Sequence, residues 1–254
     1  MPTKKIIIAN WKMQLNNKDS VALAKKIKSK FAKFKKGTVA ICPSFLPLAE
    51  IGKILKGGNV KFGAQDVFWE ERGAFTGEVS PIQLKEVGCE YVIIGHPERR
   101  KHLRENYEYI HKKARAALNN NLIPVICIGE SWDERNTERR DFVLTDQLQL
   151  ALGGLDLIGN QKIIIAYEPI WAIGSGAAIQ PDEAEYAHRI IKLTLNQMFG
   201  MQVVNDHFMV VYGGSISSKN VAGFANNEHI DGLLVGGASL DAEEFYKVAE
   251  AITK

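Results

Sequence analysis

Three side chains that could act on a proton, Glu168, His96 and Lys12, each stand just after a short apolar run of the sequence. After Glu168 come a proline, a tryptophan and closely spaced glycines, a pattern typical of a lid over an active site. A carboxylate that loses water under such a lid becomes a stronger base. The ammonium of Lys12 suits a phosphate or a developing oxyanion. A single residue of any of these types is more often solvated or structural. The hypothesis of proton-transfer chemistry therefore rests on the position that the three residues share, just after apolar runs.

His96 is placed by the residues that follow it. Pro97 disfavours helical backbone at His96, whereas Pro97 and Glu98 are residue types favoured in the first turn of a helix. We therefore expect His96 to face the N-terminus of a helix. That environment disfavours the imidazolium and favours a neutral imidazole acting as an electrophile.

The apolar runs alternate with segments of helical spacing eight times without a break. Such runs, bounded by Gly, Pro or Asn, predict strands buried on both faces, and the alternation favours an α/β fold, a closed (β/α)8 barrel. An open doubly wound sheet is the alternative, but its GxGxxG fingerprint is missing. We expect residues 1–254 to form a single domain, because such barrels often run to about 250 residues. The predicted strands are 6–9, 39–42, 60–64, 91–94, 125–128, 163–167, 208–212 and 232–235.

Capping patterns and apolar stripes predict several helices. Ser80 and Ser131 have the spacing of capping boxes, and Pro181 precedes two carboxylates, as at a helix start. The residues predicted on three apolar stripes are Leu23, Ile27, Phe31 and Phe34; Phe142, Leu144, Leu148 and Leu152; and Ala184, Ala187, Ile191 and Leu195.

A barrel keeps its functional groups at the C-terminal ends of the strands. Polar residues and glycines do follow the predicted strands, and paired glycines follow the last two, where barrels commonly bind phosphate through backbone N–H groups. The residues in this position are Asn10, Lys12, Gln65, His96, Glu130, Glu168, Ser215, Gly236 and Gly237.

Seven stretches, taken in order, resemble the triosephosphate isomerase family, whose fold is the TIM barrel. The match runs from residue 6 to about residue 240, and the order and spacing of the motifs are far more specific than any motif alone. The stretches are 10–13, 73–78, 95–100, 127–130, 167–174, 212–215 and 231–240.

The resemblance implies an isomerase of glycolysis and gluconeogenesis that interconverts dihydroxyacetone phosphate and D-glyceraldehyde 3-phosphate without cofactor or metal. Glu168 would be the base and His96 the electrophile and proton shuttle. Lys12, with Asn10 beside it, would stabilise negative charge, and Glu98 would support Lys12. The residues implied to hold the phosphate are Gly174, Ser215, Gly236 and Gly237, together with Asn10 and Lys12.

The stretch around Thr76 resembles the family's interdigitating dimer loop. The resemblance implies that Gln65 and Thr76 pack near Asn10 and Lys12 of an adjoining subunit, so we expect a homodimer.

The sequence departs from the family pattern beside the expected base. Pro97 stands where the pattern has Ser, which removes a hydroxyl and a backbone N–H near Glu168. In the predicted lid, Ser175 and Ala177 replace a common Thr and Lys. Other departures, to which we assign no functional consequence, are Leu103-Arg104 for a usual Phe-Gly and Gln14 for a frequent Asn.

Three alternative functions are weaker. The first predicted helix is rich in lysine and could bind a membrane or nucleic acid, but its apolar stripe is better explained by docking on the barrel. A different phosphate-binding barrel isomerase is disfavoured by the short chain and the lid motif. A relic that only binds sugar phosphates is disfavoured by the intact Lys12, His96 and Glu168. We therefore expect no nucleic-acid or membrane partner.

Bulk composition agrees with a cytoplasmic protein. The net charge of +3 is too small to imply a polyanion partner. The three cysteines, Cys42, Cys89 and Cys127, show neither paired nor metal-ligand spacing, which indicates reduced thiols. The apolar run near the start is shorter than a signal-peptide core, and no run approaches the roughly 20 residues of a membrane span.

Overall fold

The computed structural model describes residues 4–172 and 179–254. Eight parallel strands close into a barrel in chain order, and the last strand pairs with the first. The predicted (β/α)8 barrel is therefore confirmed. The strands are β1 Ile6–Asn10, β2 Thr38–Cys42, β3 Val60–Ala64, β4 Tyr91–Ile94, β5 Ile123–Ile128, β6 Ile163–Tyr167, β7 Phe208–Gly214 and β8 Gly232–Val235.

Two apolar cores account for the uninterrupted hydrophobic character of the strands. Successive residues of a strand point to opposite faces, and in β1 Ile6 and Ile8 belong to one core whereas Ile7 and Ala9 belong to the other. The smaller core draws its members from strands and fills the barrel, and the larger one lies between the strands and the surrounding helices. Both faces are buried, so the strands hold the residues at their ends in fixed positions.

The helices begin largely where the capping patterns predicted. Ser80 and Ser131 each form a capping box, and Pro181 opens a long helix. Phe142 was wrongly grouped with an apolar stripe, because its side chain is 63% exposed. In the described part of the chain the helices are α1 Asn17–Lys30, α2 Leu48–Leu55, α3 Pro81–Glu86, α4 Pro97–Leu103, α5 Tyr107–Asn119, α6 Trp132–Asn136, α7 Arg140–Leu152, α8 Pro181–Phe199, α9 Met201–His207, α10 Ala222–Ala225 and α11 Ala242–Ile252. Among these described helices, none has the length and apolar character needed to cross a membrane.

The lysine-rich helix α1 docks on the barrel. Leu23 and Ile27 are buried in the larger core, while Lys30 forms an ion pair with Glu243 and Lys28 donates to the carbonyl of Ile54. The stripe is thus used for packing, and two of the lysines are engaged within the chain.

Candidate active site

A cavity of about 380 Å³ opens at the C-terminal ends of the strands. Most of the site residues predicted from the sequence line this cavity, and they come from the ends of five different strands. The lid predicted over 174–177, including Gly174, lies outside the described residues. The predicted residues that line the cavity are Asn10, Lys12, His96, Glu168, Ser215, Gly236 and Gly237.

Lys12 adopts a left-handed backbone conformation, with φ of 52°. Such a conformation costs a non-glycine residue on the order of 1 kcal/mol. It is held from both sides: the Lys12 N–H donates to Asn10 Oδ1 at 3.1 Å, and Gln65 Nε2 donates to the Lys12 carbonyl at 2.8 Å. Lys12 Nζ lies 2.5 Å from Glu98 Oε1, as expected for a supporting carboxylate.

The contacts of Gln65 within the chain join the ends of neighbouring strands. Gln65 binds Lys12 and Cys42 of its own chain, and its expected contact with an adjoining subunit stays a prediction. The contacts within the chain form because β1, β2 and β3 are neighbours in the barrel, and one long amide spans their ends.

His96 lies at the N-terminus of α4, as predicted. Its Nδ1 accepts a hydrogen bond from the backbone N–H of Glu98 at 3.2 Å, and Pro97 occupies the first helical position. A ring nitrogen that accepts an N–H carries no proton, so this geometry favours a neutral imidazole whose proton is on Nε2. Nε2 points toward Glu168, 3.6 Å from its Oε1.

Glycine is required just before His96. Gly95 has φ of 71°, and a Cβ there would lie 2.6 Å from Ile110 Cδ1. The Gly95 N–H donates to Glu105 Oε1 at 3.1 Å. The turn that delivers His96 to the cavity is therefore fixed by packing and by a hydrogen bond.

Glu168 is buried at the end of β6, and its Oε2 accepts no hydrogen bond from residues 4–172 or 179–254. Burial acts to raise the pKa of this carboxyl, but His96, the Cys127 thiol and Lys12 outweigh burial and hold the pKa below its ordinary value. The charge attraction of His96 requires an imidazolium, whereas its hydrogen bond does not. With the neutral imidazole that the Glu98 contact favours, burial meets less opposition in setting the pKa of Glu168.

Space for the Glu168 side chain comes from β7. A Cβ at Gly213 would lie 2.6 Å from Glu168 Cγ. At the end of the neighbouring strand β8, a Cβ at Gly237 would meet nothing within 4 Å, and the nearest atom to one at Gly236 is Lys12 Cε at 3.8 Å. The backbone at these two glycines therefore faces open space rather than packed protein.

A second buried carboxylate, Glu130, lies beside the site without lining the cavity. It accepts hydrogen bonds from Tyr167 Oη at 3.2 Å and from Trp171 Nε1 at 3.0 Å. Burial raises its pKa. The Arg135 guanidinium lies 4.1 Å from the centre of the Trp171 ring and pairs with Glu183. The sequence placed Glu130 after a strand but held no signal for its partners.

Sequence reasoning also missed a buried ionic cluster behind the strand ends. Asp66 contacts Lys113 at 2.8 Å and Arg99 at 2.7 Å, and Glu105 contacts the same two cations at 2.6 and 2.8 Å. Burial raises the pKa of Asp66 to about 6, against the opposing effect of Lys113. The Lys113 and Arg99 contacts instead overcome burial at Glu105 and lower its pKa.

The fold and the cavity together define a class: a (β/α)8-barrel enzyme with a carboxylate, an imidazole and an ammonium at one mouth. Comparison with known proteins gives the family. The sequence model of the family described as triosephosphate isomerase matches residues 5–252. The chain belongs to the triosephosphate isomerase family, and its reaction is the interconversion of dihydroxyacetone phosphate and D-glyceraldehyde 3-phosphate in glycolysis.

Individual relatives agree over nearly their whole lengths. The triosephosphate isomerase of Dictyoglomus thermophilum is 40% identical over 248 residues, which cover 98% of this chain and 99% of the relative. That of Caldanaerobacter subterraneus subsp. tengcongensis is 41% identical over 243 residues, 96% of this chain and 97% of the relative. The crystal structure of the Bartonella henselae enzyme superposes with a TM-score of 0.88 at 31% identity, covering 99% of this chain and 100% of that chain.

Proposed function

We propose that Glu168, His96 and Lys12 carry out the isomerisation in the cavity at the strand ends. One observation carries this assignment: Glu168 Oε1 and His96 Nε2 lie 3.6 Å apart, while His96 Nδ1 is engaged by the Glu98 N–H. The carboxylate and the imidazole N–H thus face one small volume from adjacent sides. A base and a neutral electrophile in this arrangement are established for the family.

In the proposed reaction, the Glu168 carboxylate removes a proton from the hydroxyl-bearing carbon beside the carbonyl of dihydroxyacetone phosphate. The electron pair moves into the carbonyl, and His96 Nε2–H donates to the oxygen that gains charge. His96 then passes a proton from the hydroxyl oxygen on the first carbon to the former carbonyl oxygen. Protonated Glu168 returns its proton to the carbon that bore the carbonyl, which gives D-glyceraldehyde 3-phosphate. Lys12 stabilises the enediolate by its charge, with Asn10 beside it.

Glu98 keeps the Lys12 ammonium in place through the 2.5 Å contact. The phosphate dianion binds at the ends of β7 and β8, where Ser215, Gly236 and Gly237 line the cavity. Backbone N–H groups suit a phosphate because they donate without adding bulk. Gly174 completes this set on the basis of the family resemblance.

We further propose a homodimer formed through the loop around Thr76. Large apolar side chains are exposed on the loops that follow the first strands: Met13 is 94% exposed and Leu46 is 86% exposed, and Phe45 and Phe75 are also exposed. A patch of this kind next to the site supports a subunit interface. Light scattering that gives the mass of one chain at micromolar concentration would contradict this assembly.

The remaining proposals concern the setting of the enzyme. We propose that residues 1–254 form one domain, that the enzyme works in the cytoplasm, and that it needs no metal or cofactor and binds no nucleic acid or membrane. The three cysteines are unpaired and buried, which supports a reducing compartment.

The deciding experiment is a coupled triose phosphate assay on the wild type and on Glu168→Gln. The amide keeps the shape of the side chain but cannot take a proton, so we expect kcat to fall by about 10³-fold or more. Asp231→Asn, a carboxylate change at the other end of the barrel, should keep full turnover. Absence of turnover in the wild type, or equal turnover in the wild type and Glu168→Gln, would overturn the assignment.

A further inference from the structure

One buried side chain on α7, Gln147, satisfies both backbone polar groups of Gly129 at the end of β5. The Gly129 N–H donates to Gln147 Oε1 at 2.8 Å, and Gln147 Nε2 donates to the Gly129 carbonyl at 3.1 Å. Gln147 is only 7% exposed. Two hydrogen bonds from one amide to one residue restrain both its position and its orientation.

Gly129 is in turn packed against the backbone of Glu168. A Cβ at position 129 would lie 1.9 Å from the Glu168 carbonyl oxygen, so only glycine permits this approach. The residues on either side of Gly129 also hold the chain around Glu168. The Glu168 N–H donates to the Ile128 carbonyl at 2.8 Å, and the Ile170 N–H donates to the Glu130 carbonyl at 3.0 Å.

We propose that Gln147 is a positioning residue for Glu168. By fixing Gly129 it fixes the backbone of Glu168, and with it the distance from the carboxylate to the carbon that loses its proton. The inference rests on the proposed role of Glu168 as the base. Gln147 is not one of the residues lining the cavity within the described ranges, so it acts through Gly129 and not on the substrate.

The kinetic consequence separates positioning from a purely structural role. Displacing a base by a fraction of an ångström slows proton transfer, whereas the phosphate is held by other groups, at the ends of β7 and β8, and its binding is unaffected. Loss of the Gln147 contacts should therefore lower kcat and leave KM nearly unchanged. A structural role alone would lower the unfolding temperature without changing kcat of the folded enzyme.

The first test is Gln147→Met, which removes both hydrogen bonds at similar volume. Gln161→Met is a matched control at the other end of the barrel, because Gln161 Oε1 accepts from the Ile158 N–H at 3.0 Å and Nε2 donates to the Leu118 carbonyl at 3.0 Å. We expect both variants to unfold at lower temperature. Only Gln147→Met should lose kcat, by about 10-fold, with KM within about twofold of the wild type.

The second variant, Gln147→Glu, gives a readout that depends on pH. An ionised carboxylate can still accept from the Gly129 N–H, but it cannot donate to the Gly129 carbonyl and repels it. Protonation restores the donor. Burial raises the pKa of a carboxyl at this position into the neutral range. The ratio of variant to wild-type kcat should therefore rise as pH falls from about 9 to about 5.5.

The outcomes are distinguishable. Unchanged kcat in folded Gln147→Met, or a flat pH ratio for Gln147→Glu, would overturn the positioning role while leaving the base assignment intact. If Gln147→Met does not fold, the pH ratio decides. Full turnover by Glu168→Gln would instead remove the base on which the inference rests.

Discussion

Two carboxylates at opposite ends of the barrel have different surroundings, although the same eight strands form both ends. At the N-terminal end, Asp231 is fully paired: it accepts from the Val210 N–H at 2.7 Å and pairs with Lys192 at 3.1 Å. At the C-terminal ends, Lys12 has a left-handed backbone, and Glu168 Oε2 is buried with no partner among the described residues. The fold can pair a carboxylate at a strand end, as it does for Asp231, so the oxygen of Glu168 left unpartnered in the described part of the chain is not imposed by the fold.

The unpartnered oxygen of Glu168 indicates where a substrate binds. A buried polar atom without a partner costs about 1–3 kcal/mol, and natural proteins keep few of them. Strain of this kind is concentrated at functional sites, and the C-terminal face is where barrels of this type carry their chemistry. Polar substitutions at the site end should thus change kinetics, whereas those at the opposite end should change stability.

The largest contrast is expected between two lysines, Lys12 at the site and Lys192 at the opposite end. Lys12→Met removes the cation proposed to stabilise the enediolate, and kcat/KM should fall by about 10³-fold with a small change in stability. Lys192→Met removes the ion-pair partner of Asp231 and should lower the unfolding free energy by about 1–2 kcal/mol with unchanged kinetics. Steady-state assays and urea unfolding measure both effects. A similar loss of activity in both variants would break the contrast.

The ionic cluster behind the site should make stability depend on pH. The pKa of Asp66 is raised from 3.8 to about 6 by burial, so the folded protein holds this proton more tightly than the unfolded chain. Its stabilising contribution is present below about pH 4 and is lost as pH rises through about 6.

Asp66→Asn removes this dependence. The unfolding free energy of the variant minus that of the wild type should therefore increase between about pH 4 and pH 7, by on the order of 2 kcal/mol. Urea unfolding at several pH values measures the difference. A difference that stays constant with pH would show that Asp66 does not titrate in this range.

A smaller effect is expected at Pro97, which is buried next to His96 at the start of α4. Pro97→Ser adds a hydroxyl and a backbone N–H next to His96, whose Nε2 lies 3.6 Å from Glu168 Oε1. Oε2 of Glu168 has no partner in the described ranges. A hydrogen bond to the carboxylate would lower its pKa, so the acid limb of kcat/KM should move to lower pH by a few tenths of a unit. We expect kcat to change by less than about fivefold. Identical kcat, KM and pH profile in both directions would contradict this role for Pro97.

The smallest effect is expected at Arg104, which ends α4 with φ of 54°. The family pattern has Gly here, and glycine adopts this conformation without strain. Arg104→Gly should raise the unfolding free energy by about 0.5–1 kcal/mol and leave kinetics unchanged. A lower unfolding temperature would show that the arginine side chain compensates for its backbone.

The sequence predicted strands better than their ends. The run 125–128 was recognised by its β-branched residues, but β5 begins at Ile123, where Pro124 hides the strand signal. Strand β7 continues through Gly213 and Gly214, which carry no apolar pattern. His96 was predicted at a helix start because a proline follows it, and this was confirmed.

Residues that act through distant partners left no local signal. Gln147 is an ordinary helical residue in the sequence, and only the fold brings it to Gly129, 18 positions away. Asp66 and Lys113 are likewise 47 positions apart. Such pairs depend on how α5 and α7 pack on the strands, which neither hydrophobic periodicity nor capping encodes. The exposed Phe142 shows the converse, an apolar residue that packing leaves outside the core.

The central claim, that Glu168 at the site end moves the proton, is tested most directly by hydrogen exchange in D₂O. Nuclear magnetic resonance follows deuterium entering dihydroxyacetone phosphate at the carbon beside the carbonyl. The account predicts rapid incorporation with the wild type and with Asp231→Asn. With Glu168→Gln the rate of incorporation should be lower by about 10³-fold or more, although this variant should still bind inorganic phosphate. Incorporation by Glu168→Gln at the wild-type rate would contradict the account.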